Sequence, residues 1–332
     1  MPTGAWGAAL WVLVAALPAV IAYGVPLTRW ATRSRGRSAG IFFDDPAALK
    51  VGPRVDTVLL DRWGTVTTGH LRVTSVDPFE ADHDRNLRWF AGALGHAAED
   101  PVGQAIARLA ARGKVSGIDM HDGVGISGSV DRHPVRLGPP EWLGMATRDD
   151  VGVTVGVQVD SRPIGYITVA DDVRPDARAA VEQLRSDGVD PVLVSDDSDR
   201  NTGHLAEACG IEHWHAATSP AQQSGLVADY RGLDRVVAVA SRTAEDSADL
   251  TLSDTEDLSH GIRLSDLDVT RIARALSLTR RAARRLVATR RVGIVVGATG
   301  AVLAGFGVLS PLLAAGYAVV GCAAVAAVAT RP

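Results

Sequence analysis

Three long uncharged stretches constrain the fold of this chain most strongly, because apolar runs of this length are rare in soluble cores. They cover Ala5–Val25, Val292–Leu309 and Leu312–Thr330, and Ser310 and Pro311 separate the last two. An α-helix rises about 1.5 Å per residue, so about 20 such residues span the hydrocarbon core of a bilayer. The stretches therefore predict about three transmembrane helices, the last two as a hairpin. The alternative for the C-terminal pair is a buried hairpin in a soluble protein.

Arginine-rich segments flank these stretches and predict their orientation. The first stretch is followed, with no acidic residue in between, by Arg29, Arg33, Arg35 and Arg37. A second group precedes the C-terminal hairpin: Arg280, Arg281, Arg284, Arg285, Arg290 and Arg291. Arginines beside a membrane span stay in the cytoplasm. We therefore expect a multi-pass protein of the cell membrane with its N-terminus outside and its main domain cytoplasmic.

The composition of the same segments predicts the kinds of partner. Basic residues beside a span contact anionic membrane lipids. Gly and Ala dominate the C-terminal hairpin, and small residues let helices approach closely. A membrane-protein partner is therefore expected at the transmembrane helices. The formal net charge of −4 provides no basic field, so nucleic acid is not an expected partner.

The two cysteines predict neither a disulfide nor a metal site. Cys209 lies in a polar segment and Cys322 in an apolar one, and the chain has no C-x-x-C motif or histidine cluster. Free cysteine is among the residue types that are buried most often. We therefore expect both side chains to be small buried fillers.

The segment between the membrane stretches alternates short apolar strands with amphipathic helices. Strands are predicted over residues 55–61, 151–159, 163–170, 191–197, 213–217, 235–240 and 248–254, and helices over 174–189, 199–211 and 219–232. Such alternation indicates βαβ units and a parallel sheet. The predicted fold class is therefore α/β, with the transmembrane helices attached.

The order of these elements predicts how the chain is divided. Two parts belong to the N-terminal membrane region: a transmembrane helix over residues 1–27 and a basic connector over 28–47. The parallel-sheet domain takes residues 48–70 and 160–275, and an α+β lobe over 71–159 is inserted into it. A basic juxtamembrane helix over 276–291 and a transmembrane hairpin over 292–330 follow.

Polar residues follow three of the predicted strands directly. Asp61, Ser195 and Ser241 each come at the end of a continuous apolar run. In an open parallel sheet, the binding site lies beyond the carboxyl ends of the strands. These residues are therefore predicted to lie at the functional edge of the sheet.

Five segments, in register along the chain, resemble one known family. Residues 61–67, D-R-W-G-T-V-T, are similar to the phosphorylation motif D-K-T-G-T-[LI]-T of P-type ATPases. The similarity extends over residues 24–49 (the exit from a transport helix), 98–106 (a helix carrying Ser-Glu-His-Pro), 123–144 (a glycine-bearing nucleotide loop) and 170–197 (the run from D-x-x-R-P to T-G-D). Nearly all of the chain thus resembles the cytoplasmic part of a heavy-metal P-type ATPase.

This resemblance implies a haloacid-dehalogenase-like, Rossmannoid phosphorylation domain with an inserted nucleotide-binding lobe. It implies that Asp61 accepts the γ-phosphoryl group of ATP, with Thr65 and Ser195 beside the phosphate and Asp197 in place of the T-G-D aspartate. Asp61 and Thr65 are the implied magnesium-binding residues. The implied nucleotide-binding residues of the inserted lobe are Gly123, Gly125, Gly128, Asp100 and Pro101.

Several positions depart from the family's pattern. The lysine of the phosphorylation motif is Arg62, and the threonine after it is Trp63. The P-x-x-K lysine is Gln223, and the first acidic residue expected in the G-D-G-x-N-D loop falls near Arg242. Asp100 stands where the family has a histidine. One lost donor to a transferring group typically lowers the rate about 10²- to 10³-fold, so these changes together predict little turnover.

Three functions remain open at this point. The first is a pseudoenzyme that needs no cofactor and acts as an accessory or regulatory subunit of a membrane complex. The second is a residual ATP-hydrolysing or phosphatase enzyme that uses Asp61 with Mg²⁺ and ATP. The third is one part of a split heavy-metal cation transporter. The family's C-P-C motif is replaced by Leu-Pro-Ala-Val-Ile over residues 17–21, and the eroded motifs favour the pseudoenzyme.

Overall fold

The structure, a computed structural model, describes residues 23–121, 124–148, 150–241, 247–255, 258, 261–306, 308 and 310–331. The first predicted transmembrane stretch therefore lies outside the described residues, apart from residues 23–25. The chain forms two compact units. One takes in Met1–Leu60, Ala179–Val192 and Pro220–Pro332, and the other takes in Asp61–Arg178 and Leu193–Ser219.

The described residues form the following strands and helices. The strands are β1 (Ile41–Phe42), β2 (Thr57–Asp61), β3 (Thr67–Pro78), β4 (Val115–His121), β5 (Gly125–Val130), β6 (His133–Gly138), β7 (Val153–Val159), β8 (Arg162–Val173), β9 (Asp190–Val194), β10 (His213–His215), β11 (Val237–Ala240), β12 (Leu250–Ser253) and β13 (Ile262–Leu264). The helices are α1 (23–38), α2 (Ala48–Val51), α3 (Asp84–Gly95), α4 (Pro101–Ala107), α5 (Ala177–Ser186), α6 (Asp199–Cys209), α7 (Pro220–Gly232), α8 (Val269–Gly305) and α9 (Pro311–Thr330).

A mainly parallel sheet has the strand order β1-β13-β12-β11-β2-β9-β10. β2, β11, β12 and β13 are parallel neighbours, and β1 pairs antiparallel with β13 at the edge. Val58, Leu59 and Leu60 of β2 are fully buried. Continuous apolar strands are what a sheet covered on both faces requires. The predicted parallel sheet is therefore confirmed.

The sequence prediction is wrong about two features of this sheet. It has no strand after residues 248–254, whereas the sheet contains a further strand, β13, of only three residues. A strand this short carries no recognisable periodicity. The strand predicted over 191–197 ends at Val194, because the three residues after it leave the sheet and form a polar loop.

The second unit contains a six-stranded antiparallel sheet with the order β3-β8-β7-β6-β5-β4. Helices α3 and α4 cover one face. Leu87 and Leu94 of α3, Ile106 of α4 and Ile167 of β8 are at most 1% exposed and share one core. Complete burial of such a side chain stabilises the fold by about 1.5–3 kcal/mol. This core therefore fixes the helices against the sheet.

Two described helical segments are long and apolar enough to cross a membrane. They are Val269–Ala304, in which an 18-residue window has a mean hydropathy of 1.5, and Leu312–Thr330, in which such a window has a mean hydropathy of 2.2. The hydroxyl of Tyr317 donates a 2.8 Å hydrogen bond to the backbone oxygen of Val296. A Cβ on Gly321 would lie 2.6 Å from Cγ1 of Val296, so glycine permits this approach. The two predicted hairpin helices are thus present and packed together.

The expectation that both cysteines are buried is wrong for one of them. Cys209 is fully buried at the end of α6, where burial raises the pKa of its thiol to about 11. Cys322 is exposed. It lies about 100° around α9 from Gly321, the residue that faces α8, and so it points away from the helix contact.

Candidate functional site

The loop after β2 is held in a defined turn. Trp63 has φ −69° and ψ 116°, and Gly64 has φ 72° and ψ −3°. These are the backbone angles of a type II turn, whose second central position needs a positive φ that glycine adopts without steric cost. The backbone N–H and the hydroxyl of Thr67 both donate to the carbonyl oxygen of Arg62, the hydroxyl at 2.9 Å. The loop after Asp61 therefore has a fixed shape.

An ion pair joins this loop to the loop after β9. Nη1 of Arg62 contacts Oδ2 of Asp197. The two side chains are 10% and 21% exposed, so the pair is largely shielded from water and weakly screened by salt. Nε of Arg62 is buried and has no acceptor among the described residues. The guanidinium thus has Asp197 as its shielded counter-charge.

The carboxylate of Asp197 is held by two further hydrogen bonds. Its Oδ1 accepts from the backbone N–H of Ser198 at 2.7 Å and from the side-chain amide of Asn201 at 3.0 Å. Burial alone would raise the pKa of Asp197. The hydrogen bonds from Asn201 and Ser198 and the charge of Arg62 outweigh burial and hold this pKa below its ordinary value. Asp197 is therefore ionised at neutral pH, with both oxygens engaged.

Trp63 lies against the ion pair. The guanidinium carbon of Arg62 is 4.7 Å from the centroid of the Trp63 ring, which is within cation–π range. The indole N–H donates to Oδ1 of Asp196 at 3.4 Å. The ring also packs on the hydrophobic core of the second unit. A large apolar group therefore occupies the space beside the cation of this loop.

The remaining predicted site residues lie on or next to strand ends, as the sequence predicts. Asp61 ends β2 and is partly exposed, Ser195 follows β9 and is 2% exposed, and Ser241 follows β11. Oγ of Ser195 accepts from the backbone N–H of Asp197 at 3.1 Å, which shapes the loop after β9. Thr65 is fully buried, and its hydroxyl has no hydrogen-bond partner among the described residues.

Two residues that hold the loop after β2 were not singled out from the sequence. Arg174 donates from Nε to the carbonyl oxygen of Thr67 and from Nη2 to that of Gly64, both at 2.9 Å. The carboxylate of Asp171 accepts from donors of residues 68–70 at 2.9–3.1 Å. Both residues belong to the D-x-x-R-P segment, which is the sequence signal that could have identified them. They act as positioning residues for the loop.

The described residues do not fit a magnesium ion at Asp197. Mg²⁺ requires oxygen ligands in near-octahedral geometry, and both oxygens of Asp197 already accept hydrogen bonds. The charge of Arg62 beside them opposes a divalent cation. Within the described ranges, no three His, Cys, Asp or Glu side chains are grouped as metal ligands. Residues 242–246, where the family's magnesium loop would fall, lie outside those ranges.

The second unit also contains a cavity of about 340 Å³ between α4 and the antiparallel sheet. Its lining is mostly apolar and includes Ile106, Leu137 and Val155, with Asp100 at one side. Gly125 lines it as well. A Cβ on Gly125 would lie 2.3 Å from the carbonyl oxygen of Leu137, so glycine is needed for the strands to approach here.

Asp100 and Pro101, predicted to contact nucleotide, begin α4. Oδ1 of Asp100 accepts from the backbone N–H of Gly103 at 2.8 Å, which is the helix-capping bond. Pro101 occupies the first helical position, where its missing N–H costs nothing. One oxygen of Asp100 is therefore committed to the helix, although the residue also borders the cavity.

Among the described residues, Gly128 does not line the cavity. A Cβ on Gly128 would lie 3.0 Å from Cδ1 of Leu94, so this glycine makes room for the core, and Gly123 lies outside the described residues. Sequence reasoning missed an aromatic group beside the cavity. The rings of His121 and Trp142 have centroids 4.9 Å apart, and the Arg136 guanidinium lies 4.0 Å from the Trp142 centroid.

Comparison with known sequences identifies relatives along most of the chain. Residues 55–229 match the family profile of haloacid dehalogenase-like hydrolases. The copper-exporting P-type ATPase of Mycobacterium tuberculosis is 32% identical over 269 residues, which are 76% of this chain and 35% of that protein. A probable cation-transporting ATPase of Haemophilus influenzae is 25% identical over 91% of this chain and 45% of its own length. The chain thus spans less than half of these curated relatives.

Solved structures show the same fold. A zinc-transporting PIB-type ATPase in its E2.Pi state matches 94% of this chain and 55% of its own, with a TM-score of 0.80 and 21% identity. The catalytic domain of the CPx-ATPase CopB-B matches 75% of this chain and 98% of its own, with a TM-score of 0.61. The family profile covers just over half of the 332 residues. The chain therefore belongs to the haloacid dehalogenase-like hydrolases and is a homologue of the heavy-metal P-type ATPases.

Proposed function

We propose that this chain is a membrane-anchored pseudoenzyme of P-type ATPase ancestry. It forms no phosphoenzyme and acts as an accessory or regulatory subunit of a membrane complex. Its homology to cation-transporting ATPases accounts for the fold of the domain and for the phosphorylation-type loop after β2. The chemistry of that loop, and not its fold, supports the loss of catalysis.

The ion pair between Arg62 and Asp197 carries this proposal. Phosphoryl transfer needs cations and donors that face the incoming phosphoryl group, and carboxylates that are free to hold magnesium. Here the cation of the loop is paired with a carboxylate of the same site. Each neutralises the other, so neither side chain is available to the phosphoryl group or to the metal.

Two neighbouring substitutions support the same conclusion. Trp63 places a bulky ring where the family has a small hydroxyl side chain. Gln223, at the position of the P-x-x-K lysine, is 8% exposed and uncharged. No nearby lysine in the sequence replaces it, because Lys50 and Lys114 are the only lysines of the chain. Two lost donors lower a rate about 10⁴-fold or more if their effects multiply.

The membrane helices support an accessory role through a protein partner. Large apolar side chains on α8 and α9 are 51–85% exposed: Ile294, Val295, Val302, Leu312, Val319 and Val320. Such side chains suit lipid or a neighbouring transmembrane helix. The arginine groups beside the membrane stretches support a cytoplasmic main domain and an N-terminus outside.

A residual phosphoryl-transfer activity is the second candidate function. One observation favours it: the buried hydroxyl of Thr65 has no partner among the described residues. A phosphoryl oxygen at this hydroxyl would satisfy it. Asp61 is also retained as a nucleophile. This candidate requires that Arg62 release Asp197 when nucleotide binds.

Radioactive labelling distinguishes the two candidates. We expect the full chain in membranes to take up no acid-stable label from γ-labelled ATP, at any Mg²⁺ concentration, because the ion pair removes the groups that stabilise the transferring phosphoryl. The Asp61→Asn variant is the matched control, since it removes the acceptor oxygen and keeps the size of the side chain. An active P-type ATPase in the same membranes serves as the positive control.

Label on the wild-type chain that hydroxylamine releases, and that Asp61→Asn abolishes, would contradict the pseudoenzyme proposal. That pattern identifies an acyl phosphate on Asp61 and establishes the second candidate. Label that appears only when another membrane protein is co-expressed would instead support one part of a split transporter.

A further inference from the structure

We propose that the outer face of α1 is a binding site for the phosphate headgroup of an anionic membrane phospholipid. The site is an open groove of about 550 Å³ lined by Pro26, Arg29, Trp30, Arg33, Ser34 and Arg37. The inference rests on the membrane location proposed above. It does not depend on whether Asp61 is phosphorylated.

The groove lies on one face of an amphipathic helix. Gly24, Thr28 and Thr32 are buried on the opposite face. The hydroxyls of Thr28 and Thr32 each donate at 2.8 Å to the carbonyl oxygen four residues before them, so the buried face is satisfied within the helix. Residues four apart lie nearly above one another on a helix. Three arginines at this spacing therefore form one continuous stripe, which comprises Arg29, Arg33 and Arg37.

The arginines of this stripe have unused donors. Among the described residues, none of the three forms an ion pair, and Nε of Arg33 is buried without an acceptor. Arg35 differs, because its guanidinium donates to the carbonyl oxygen of Thr330. None of the described residues that line the groove is acidic. Guanidinium groups bind phosphate oxygens through paired, charge-assisted hydrogen bonds, and the hydroxyl of Ser34 adds one more donor.

The depth of the groove matches a headgroup layer. A Cβ on Gly24 would lie 2.4 Å from Cγ2 of Thr289 in α8 and 3.3 Å from Cγ1 of Val325 in α9, so the three helices meet at this level. Thr289 is three residues before the uncharged run of α8 begins, and Gly24 is one residue before the uncharged N-terminal stretch ends at Val25. Arg29 follows Val25 by four residues, which is about 6 Å along the helix axis. The first arginine side chain can therefore reach the headgroups.

Trp30 favours a lipid over a soluble phosphate compound. Its side chain is 64% exposed although it is the largest apolar group of the helix. Tryptophan is enriched at the membrane–water interface, where its ring lies among the headgroups. An arginine stripe beside such a ring matches a ligand that carries both a phosphate and an apolar tail. We therefore assign the groove to an anionic phospholipid.

Lipid retention tests the assignment on the full chain. The chain is purified in mild detergent and exposed to phosphatidylglycerol or phosphatidylcholine, and bound lipid is counted by native mass spectrometry. The test variant is Arg29→Gln/Arg33→Gln/Arg37→Gln. The control variant, Arg85→Gln/Arg112→Gln/Arg162→Gln, removes the same charge from three exposed positions of the second unit. A parallel arm adds inorganic phosphate or glycerol phosphate as the soluble competitor.

We expect the wild type and the control variant to retain phosphatidylglycerol in preference to phosphatidylcholine. We expect the test variant to lose about 100-fold in affinity for phosphatidylglycerol, since each arginine near a membrane surface contributes about 1 kcal/mol.

Brominated phosphatidylglycerol should also quench tryptophan fluorescence in the wild type more than in Trp30→Phe, which checks the location of the lipid without changing a charge. Equal retention by the test and control variants would overturn the proposal. Displacement of the lipid by millimolar glycerol phosphate would overturn the lipid assignment. Neither result bears on labelling of Asp61, so the two proposals fail separately.

Discussion

Replacing Asp197 with alanine is expected to destabilise the second unit by about 3 kcal/mol, because it leaves Arg62 shielded from water without a counter-charge. The variant also loses the acceptor for Ser198 and Asn201. Hydrogen exchange of peptides from the loop after β2 measures this locally. We expect those amides to exchange about 100-fold faster than in the wild type.

A matched control is available one residue away. Asp196 is exposed and accepts one long hydrogen bond, 3.4 Å from the indole nitrogen of Trp63. Asp196→Ala removes the same charge and is expected to change exchange in the loop only slightly. The double variant Arg62→Met/Asp197→Ala should recover much of the loss, because it leaves no unpaired buried charge. If Asp196→Ala and Asp197→Ala have equal effects, the ion pair does not organise this loop.

The same ion pair predicts a pH dependence. The pKa of Asp197 is lower in the folded chain than its ordinary value of 3.8, so its ionised form stabilises the fold. This contribution is complete above the ordinary value and is lost as the pH falls below it. Hydrogen exchange of the amides in the loop after β2, corrected for its intrinsic pH dependence, should thus become faster in the wild type when the pH falls below 3.8. The Asp197→Ala variant lacks this carboxylate, so its loop amides should not show the acceleration that protonation of Asp197 causes.

Replacing Arg174 with alanine is the second change with a large expected effect, about 2 kcal/mol. Its guanidinium donates to two backbone carbonyl oxygens of the loop, at Gly64 and Thr67. Hydrogen bonds from a charged donor contribute about 1.5–3 kcal/mol. The loss should appear as faster hydrogen exchange confined to the loop after β2 and to β3.

Two further variants separate the geometry of Arg174 from its charge. Arg174→Lys keeps the charge but lacks the planar fork, so it is expected to recover less than half of the protection. Arg162→Ala removes an exposed arginine from the start of β8, the strand that Arg174 follows, and should leave the loop unchanged. Full protection in Arg174→Lys would contradict the two-carbonyl role that the structure indicates.

The sequence predicts the parallel sheet well, because its strands carry continuous apolar runs between clear turn residues. It does not predict β1 or β13, which have two and three residues and therefore no period to detect. The pairing of β3 with β8 was also not predicted. Their paired residues are about 90 or more positions apart in the chain, and strand partners depend on tertiary packing.

The candidate site was only partly predictable for the same reason. The motif similarity located Asp61 at the end of a strand and Thr65, Ser195 and Asp197 on the loops after strands. It did not locate the contact between Arg62 and Asp197, which are 135 residues apart. Only the adjacent strand ends bring those two together. The capping role of Asp100 was detectable, since aspartate followed by proline before an apolar helix is a helix-start signal.

We propose that the Arg62–Asp197 ion pair makes the loop around Asp61 unable to hold a phosphoryl group. Beryllium fluoride with Mg²⁺ probes this property, because it mimics an acyl phosphate on aspartate without requiring nucleotide to bind. The measurement is the ¹⁹F spectrum of the full chain, compared with that of Asp61→Asn. The ion pair predicts identical spectra, with no protein-bound fluoride signal in either. A bound, Mg²⁺-dependent signal in the wild type that disappears in Asp61→Asn would contradict it.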